Sequence, residues 1–258
     1  DQLLIGDFQG HRLVFLPRHG RGHRIPPTEI NYRANIEAMK RAGVDRLVSF
    51  SAVGSLKENH KPGDFILIDQ FVDRTFAREK SFFGTGFVAH VSMATPICVI
   101  TQNVIAQAAG QLGLKCTVGG TYLAMEGPQF STRAESEWYR SLQYDVIGMT
   151  NMPEAKLARE AELAYSTVAM VTDYDCWHDE HDDVSTASIL EVLQANTDNA
   201  KDLIKALVPR LAKIEAPFKS GVHRSLEHAI ATPAENRDEK LVSKLQVIAG
   251  RVINKPGW

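Results

Sequence analysis

Ser166-Thr167-Val168-Ala169-Met170-Val171-Thr172 runs without a charge into Asp173-Tyr174-Asp175-Cys176-Trp177. A continuous apolar run of this length reads as a strand buried on both faces, and such strands belong to sheets covered by helices. Outward from it, short apolar runs alternate with helical patterns. Arg12–Pro17, Arg46–Ser51, Asp64–Val72, Thr117–Met125 and Tyr144–Met149 read as further strands. Helices are expected over Glu29–Arg41, with Ile30, Ala34, Ala38 and Met39 on one face and Gly43 past its end, and over Gln102–Leu112. Another covers Arg133–Leu142, where Thr132 and Glu135 make a capping box. Pro153–Leu163 and Thr186–Lys213 complete the set, with Ser185 capping the last. The alternation indicates an α/β fold.

The tail differs in kind. Ala216–Gly221 reads as a linker, and from Ser225 helical patterns resume around a polar break at Thr232–Asp238. The expected organisation is a single catalytic domain over residues 1–215 and a helical C-terminal extension over 216–258. With 258 residues, 44% of them hydrophobic and 23% charged, the chain can bury a full core. A net charge of −2 gives no electrostatic argument for nucleic acid or an anionic membrane. Cys98, Cys116 and Cys176 are too few and too scattered for a disulfide framework or a zinc site. No apolar run reaches the roughly 18–20 residues that span a bilayer, and no signal peptide precedes the first strand. The expected location is cytoplasmic.

The acids at the end of the buried strand are costly unless they hold a ligand or do chemistry. A carboxyl that donates a proton, beside one that accepts from an amino group, matches a 6-aminopurine, with Tyr174 and Trp177 as a flat wall. Read alone, the pair serves equally well as exposed turn residues capping the next helix. Arg18-His19-Gly20-Arg21-Gly22-His23-Arg24 packs three arginines and two histidines into seven positions after a strand. Guanidinium forks and close backbone approach suit phosphate there, although a solvated basic loop would look the same. A strand ending in Arg-His-Gly also resembles the histidine phosphatases, in which the histidine, here His19, takes up the phosphoryl group.

Three other strand ends carry candidate groups. Ser49–Leu56 exposes small residues, and small residues leave backbone N–H groups and hydroxyls open to an anion. Glu126 beside Gly127-Pro128 and Phe130 has the makings of a contact to sugar hydroxyls and a stacking face for a base. A tight turn with a core Phe is the plain alternative. Thr150 precedes a helix start, where anions bind. His178-Asp179-Glu180-His181-Asp182-Asp183 matches no zinc or calcium loop and reads as a solvated acidic connection.

Taken in order, these segments resemble the trimeric purine nucleoside phosphorylases, and within them the 5′-methylthioadenosine phosphorylases. The carrying stretches are Arg18-His19-Gly20, Asn31–Ile36, Ser51–Leu56, Pro62-Gly63-Asp64, Ile68–Thr75, Glu126–Ser131 and Thr172–Trp177. The match covers about residues 10–215. The resemblance implies a mixed central sheet flanked by helices. It also implies phosphorolysis of 5′-methylthioadenosine to adenine and 5-methylthioribose 1-phosphate, in purine and methionine salvage. Arg18, His19, Ser51, Ala52 and Thr150 would hold phosphate. Met149 would contact the ribose, and Phe130 would pack near the ligand. His90 corresponds to the histidine lent to a neighbouring subunit's sugar pocket. Ser131 and Thr186 fall at positions that tune substrate choice. Asp173 and Asp175, beside Tyr174, would read the purine, with Asp173 protonating it.

Relatives preferring 6-oxopurines tend to carry Asn at the first acid, so the pair argues for adenine over that alternative. The resemblance implies phosphate as co-substrate, no metal or organic cofactor, and a homotrimer with shared sites. The three-Phe stretch Ser81–Val88 is expected at the subunit boundary, since an exposed aromatic loop is unusual on a monomer. The family opens with an apolar strand and a Gly-rich loop that this sequence, starting at Asp1, does not show, which leaves one wall of the anion site unaccounted for. Two other classes stay open on sequence alone: a histidine phosphatase using His19, and a nucleotide-sensing module that binds without turnover.

Overall fold

The Ser166–Asp173 run lies at the heart of a seven-stranded sheet. The computed structural model describes residues 2–178 and 186–254, and for 186–190 the backbone path alone. Its strands are β1 (Leu4–Phe8), β2 (His11–Phe15), β3 (Arg46–Ser55), β4 (Phe65–Leu67), β5 (Gln70–Asp73), β6 (Cys116–Val118), β7 (Thr121–Ala124), β8 (Val146–Gly148) and β9 (Ala164–Asp173). The helices are α1 (Tyr32–Arg41), α2 (Val99–Gln111), α3 (Arg133–Ser141), α4 (Asn151–Glu160), α5 (Thr186–Leu211), α6 (Glu239–Lys244) and α7 (Gln246–Ile253). Ser185, expected to cap α5, lies outside the described residues. The α3 start forms as read, with Thr132 Oγ1 accepting from the Glu135 N–H and Glu135 returning to the Thr132 N–H. No helix among the described residues is long and apolar enough to cross a membrane.

The sheet order is β5-β7-β8-β3-β9-β4-β6, with β3 parallel to β9 and antiparallel to β8, and β4 antiparallel to β9. It is therefore mixed, as the resemblance implied. Asp64–Val72 and Thr117–Met125, each read as one strand, are both broken. Their halves, β4 and β5, and β6 and β7, stand at opposite ends of the sheet order. Since only two residues join each pair, the ends are tied together and the sheet curls. The bend is built at one level. Asp69 and Gln70 both donate N–H to the Gly120 carbonyl at 3.2 and 3.3 Å, and the Gly120 N–H donates to Asp69 Oδ1 at 3.1 Å. Gly120 has φ +145°, and a Cβ there would stand 3.3 Å from Asp145 and Ile66, so glycine alone fits without adjustment.

Alternation along β9 divides the core into two layers. Tyr165, Ala169 and Val171 pack towards α1 and α4 with Ile36, Ile66 and Leu157. Val168 and Met170 pack towards α2 and α5 with Phe65, Ile105 and Leu203. Residues from the tail belong to the first layer, since Leu226, Ile248, Ala249 and Val252 are buried in it. So are Phe82, Phe83 and Phe87. The aromatic stretch expected at a subunit boundary instead folds over its own core, where Phe83 and Phe87 meet edge to face at 5.2 Å. β1 and β2 form a separate hairpin. The β3 edge facing away from β9 is paired only at Gly54 and Ser55, and a groove of about 540 Å³ separates it from β2.

Candidate active site

The parallel strands β3 and β9 end side by side, and a register shift after Val53 brings Gly54 opposite Asp173. A Cβ on Gly54 would lie 2.9 Å from Asp173 Oδ1 and 3.3 Å from Asp175 Cβ, so the missing side chain makes room for both acids. Asp173 accepts the Asp175 N–H at 2.8 Å, an Asx turn that holds Asp175 at φ +53°. Neither acid is an exposed turn residue. Asp175 is 8% exposed, and its Oδ2 and the nearby Ser136 Oγ are both buried with no well-formed hydrogen bond among the described residues. Burial raises both carboxyls above the ordinary range, and the charge of Asp173 raises Asp175 further.

The Thr172 hydroxyl lies 2.6 Å from Asp173 Oδ2 and 3.2 Å from the Val53 carbonyl. One hydroxyl proton cannot serve two acceptors well. A protonated Asp173 that donates to Thr172, which then donates to Val53, satisfies all three. The flat wall expected from Tyr174 and Trp177 is corrected. Both rings are buried with Leu56, Tyr139 and Ile147, and the Trp177 N–H donates to the Ser55 carbonyl at 2.7 Å. Alternation turns Tyr174 away from the acids, and the positive-φ turn at Asp175 breaks the strand before Trp177, which also enters the core.

A second group assembles beside the first. Arg18 Nη1 donates to Glu154 at 3.2 and 3.3 Å and to Asn151 Oδ1 at 3.4 Å, and Nη2 donates to the Phe50 carbonyl at 2.6 Å. Burial opposes the charge on Arg18 most strongly, but the Glu154 carboxylate together with Tyr165, Tyr122 and Tyr32 outweighs it, and the guanidinium pKa rises. These bonds occupy one side of the fork and leave the Nε edge for an anion. Ser51 Oγ lies 3.3 Å from Tyr122 Oη, and Ala52 beside it is exposed. Thr150 is the N-cap of α4, yet its hydroxyl makes no capping bond and stays available at a helix N-terminus. His19 Nδ1 lies 2.8 Å from the Ile25 carbonyl, and its ring stacks on His23 at 4.0 Å. Burial lowers the His19 pKa, and the neighbouring His23 and Arg18 add to this. A neutral ring donating from Nδ1 keeps Nε2 as an acceptor for a phosphate hydroxyl.

The 125–132 segment closes a further side. Met149 lies over Gly127, where a Cβ would come within 2.5 Å of its sulfur. Phe130 is 53% exposed and outside the core, so the core-Phe alternative fails. Ser131 is buried next to the acids, its carbonyl accepting from Cys176 Sγ at 3.3 Å. Glu126 does not reach for sugar hydroxyls. Its Oε2 accepts from the Phe76 and Ala77 N–H groups at 2.6 and 3.2 Å, and its Oε1 accepts from Thr28 and from Arg78 Nε. Burial opposes its charge, yet these bonds hold its carboxyl down at about 2. Arg78 is the residue that sequence reading missed. Its side chain is fully buried, and it also donates to Tyr32 Oη and to the carbonyls of Met149, Met152 and Glu126. Nothing in the local pattern around Arg78 signals this. Glu154 was within reach, since it follows Thr150 by one helical turn.

Two expected site residues stand apart. His90 is exposed, and its ring makes no hydrogen bond among the described residues. Thr186 opens α5, but its side chain lies outside the described residues, as do residues 179–183 of the acidic connection.

The family model described as "Phosphorylase superfamily" matches residues 2–209. The S-methyl-5′-thioadenosine phosphorylase of Rhodospirillum rubrum is 55% identical over 253 residues, covering 98% of this chain and 86% of that protein. Among solved structures, a methylthioadenosine phosphorylase from an Antarctic soil metagenomic library superposes with a TM-score of 0.90 at 47% identity, covering 95% of this chain and 86% of the other. The Schistosoma mansoni methylthioadenosine phosphorylase in complex with adenine superposes with a TM-score of 0.80 at 35% identity, covering 83% and 81%. A histidine phosphatase is not favoured by any of these matches. With a curled mixed sheet, a buried acid pair and a cationic pocket at its strand ends, the chain belongs to the phosphorylase superfamily, in its S-methyl-5′-thioadenosine phosphorylase branch.

Proposed function

We propose that this chain cleaves the N-glycosidic bond of 5′-methylthioadenosine with inorganic phosphate, giving adenine and 5-methylthioribose 1-phosphate. The observation that carries the reading is the acid pair: burial favours the protonated form of Asp173, and Asp175 Oδ2 is buried with no well-formed hydrogen bond among the described residues. A neutral Asp173 gives its proton to N7 as the purine leaves, and the orphan oxygen takes the 6-amino N–H. A 6-oxopurine would set an acceptor against that oxygen, which disfavours the 6-oxo alternative. General-acid help of this kind is typically worth roughly 10²–10⁴-fold.

Phosphate is held by Arg18, His19, Ser51, the Ala52 backbone and Thr150. It lies beside the sugar carbon that develops positive charge, so position and electrostatics lower the barrier together. Its oxygen forms the new bond to C1′ as the bond to the purine nitrogen breaks. Met149 and Phe130 border the sugar and base, and Ser131 and Thr186 adjust the choice of substrate. The active unit is a homotrimer in which the exposed His90 completes a neighbour's sugar pocket. The deciding experiment is a base-release assay with 5′-methylthioadenosine, adenosine and 5′-methylthioinosine, with and without phosphate. Adenine release that needs phosphate and yields a sugar 1-phosphate is expected. Release that ignores phosphate, or phosphoryl transfer to His19, would overturn the assignment.

A further inference from the structure

The connection from β5 to α2, residues 74–98, contains neither helix nor strand, and His90 sits within it. A long connection of this kind is ordered only if something supplies partners for its backbone. The C-terminal tail does so. The His90 N–H donates to the Ala229 carbonyl at 2.7 Å, and the Ala231 N–H donates to Val88 at 2.9 Å, framing an antiparallel bridge between Ala89 and Ile230. The Val88 N–H donates to Thr232 Oγ1 at 2.8 Å, and the Asp238 N–H donates to the Gly86 carbonyl at 2.8 Å. Gly86 has φ +89°, and a Cβ there would be 2.8 Å from Asp238 Cβ, so the two segments touch where only glycine fits.

The tail is itself fastened to the body of the fold. Arg251 donates to both oxygens of Glu162 at 2.6 Å, the Leu226 N–H donates to the same carboxylate at 3.0 Å, and Ser225 Oγ donates to the Arg159 carbonyl at 2.6 Å. Beneath the ribbon, Phe87 is fully buried, and the Arg237 guanidinium lies over its ring, 5.3 Å from the ring centroid. The ribbon's hydrogen bonds fall on the backbone of Gly86, Val88 and His90, while the imidazole is exposed and makes no hydrogen bond among the described residues.

We propose that residues 225–254 are a positioning device for His90, with the Thr232 hydroxyl and the Gly86–Asp238 contact as its grip. The proposal rests on the reading of His90 as a contact to nucleoside sugar. Through this ribbon the tail fixes where the imidazole is presented, so a nucleoside meets a ring that is already placed. Thr232 and Asp238 are positioning residues and touch no substrate themselves.

The test uses the full chain with Thr232→Val and, separately, Gly86→Ala, because either could disturb folding where the other does not. Leu203→Val, in the layer between α2 and α5, supplies a comparable loss of thermal stability far from the ribbon. Both ribbon variants should lose hydrogen-exchange protection at the amides of residues 88 and 90. Their KM for 5′-methylthioadenosine should rise on the order of tenfold, with KM for phosphate unchanged, while Leu203→Val keeps both constants. Added to His90→Ala, Thr232→Val should raise the nucleoside KM no further. Retained protection in both variants, or an undiminished extra effect in the double variant, overturns the proposal. If His90→Ala alone raises the nucleoside KM and the ribbon variants do not, the positioning role fails and the His90 reading stands. If His90→Ala leaves that KM unchanged, the His90 reading fails and the positioning role fails with it.

Discussion

Gly54 and Asp173 face each other across the parallel β3–β9 pair, so close that a single added methyl group on Gly54 would lie 2.9 Å from the carboxylate. The same carbon would stand 3.2 Å from Ile147 Cγ2, a core side chain with little room to yield. Gly54→Ala should therefore displace Asp173 rather than be absorbed. The expected outcome is a stability loss of about 1–3 kcal/mol, typical of overpacking, together with a fall in kcat well beyond any change in phosphate KM. Thermal unfolding and steady-state kinetics on the same preparation check it, and a variant with unchanged kcat counts against the close approach.

Asp173→Asn keeps the shape of the carboxyl but removes the proton it can give. Turnover of 6-aminopurine nucleosides should drop, and preference should move towards 6-oxopurines, to which an amide N–H can donate. Comparing kcat/KM for 5′-methylthioadenosine and 5′-methylthioinosine reads the shift directly. Equal losses on both substrates would remove Asp173 from the role of proton donor.

Arg18→Ala should raise the phosphate KM by about 10–150-fold, the loss of a charge-assisted hydrogen bond of about 1.5–3 kcal/mol. The structure adds a second consequence. Glu154 is 8% exposed and would be left, among the described residues, with the Tyr165 hydroxyl, 2.9 Å away, as its remaining donor. Breaking a buried pair from one side typically costs about 3–5 kcal/mol, so Arg18→Ala should also unfold at a lower temperature. Arg18→Ala combined with Glu154→Gln should recover much of that stability without restoring phosphate affinity. Recovery of both would mean that Arg18 acts only as a structural ion.

The pH dependence of stability separates two sets of acids. Burial raises Asp173 and Asp175 in the folded state, so between their unfolded value near ~4 and the raised folded value the native protein binds more protons. Stability then falls as pH rises through that window and stays at the lower level above it. Glu126, Asp73 and Asp145 are each held at about 2 by hydrogen bonds that outweigh burial. Their stabilisation is present at higher pH and is lost as pH falls from near ~4 through the folded value. Asp175→Asn should thus raise the unfolding temperature at pH 7 by more than at pH 4, and acid unfolding between pH 4 and 2 should persist. An equal gain at both pH values would contradict a raised Asp175.

The shared-site proposal has its own assay. Preparations of His90→Ala and Asp173→Ala, each impaired alone, are mixed under conditions that permit subunit exchange. If His90 acts on a neighbour's sugar pocket, some mixed trimers contain sites with both residues intact, and activity returns. Absence of recovery after demonstrated exchange would confine His90 to its own subunit.

What the residues alone determined is the local part of the molecule. The Ser166–Thr172 run is a buried strand because an uncharged run of that length has nowhere else to go. Thr132 and Glu135 set the start of α3 because both partners of a capping box lie within one turn. The acids at the end of β9, the cationic loop at Arg18 and the Thr150 helix start were legible for the same reason. Each is a short segment whose chemistry is complete within a few residues.

Only the tertiary structure decided how those segments share space. Asp64–Val72 carries no sign of its break at Asp69, because the break depends on Gly120, which reaches that level from about fifty residues away. Glu126 looked free for a sugar until Arg78 and two backbone N–H groups arrived from another connection to occupy its oxygens. Phe82, Phe83 and Phe87 looked exposed until residues of the tail, some 140 positions later, closed the same core over them. Hydrophobic burial and carboxylate pairing respond to whichever partner is nearest in space, and a one-dimensional pattern does not hold that information.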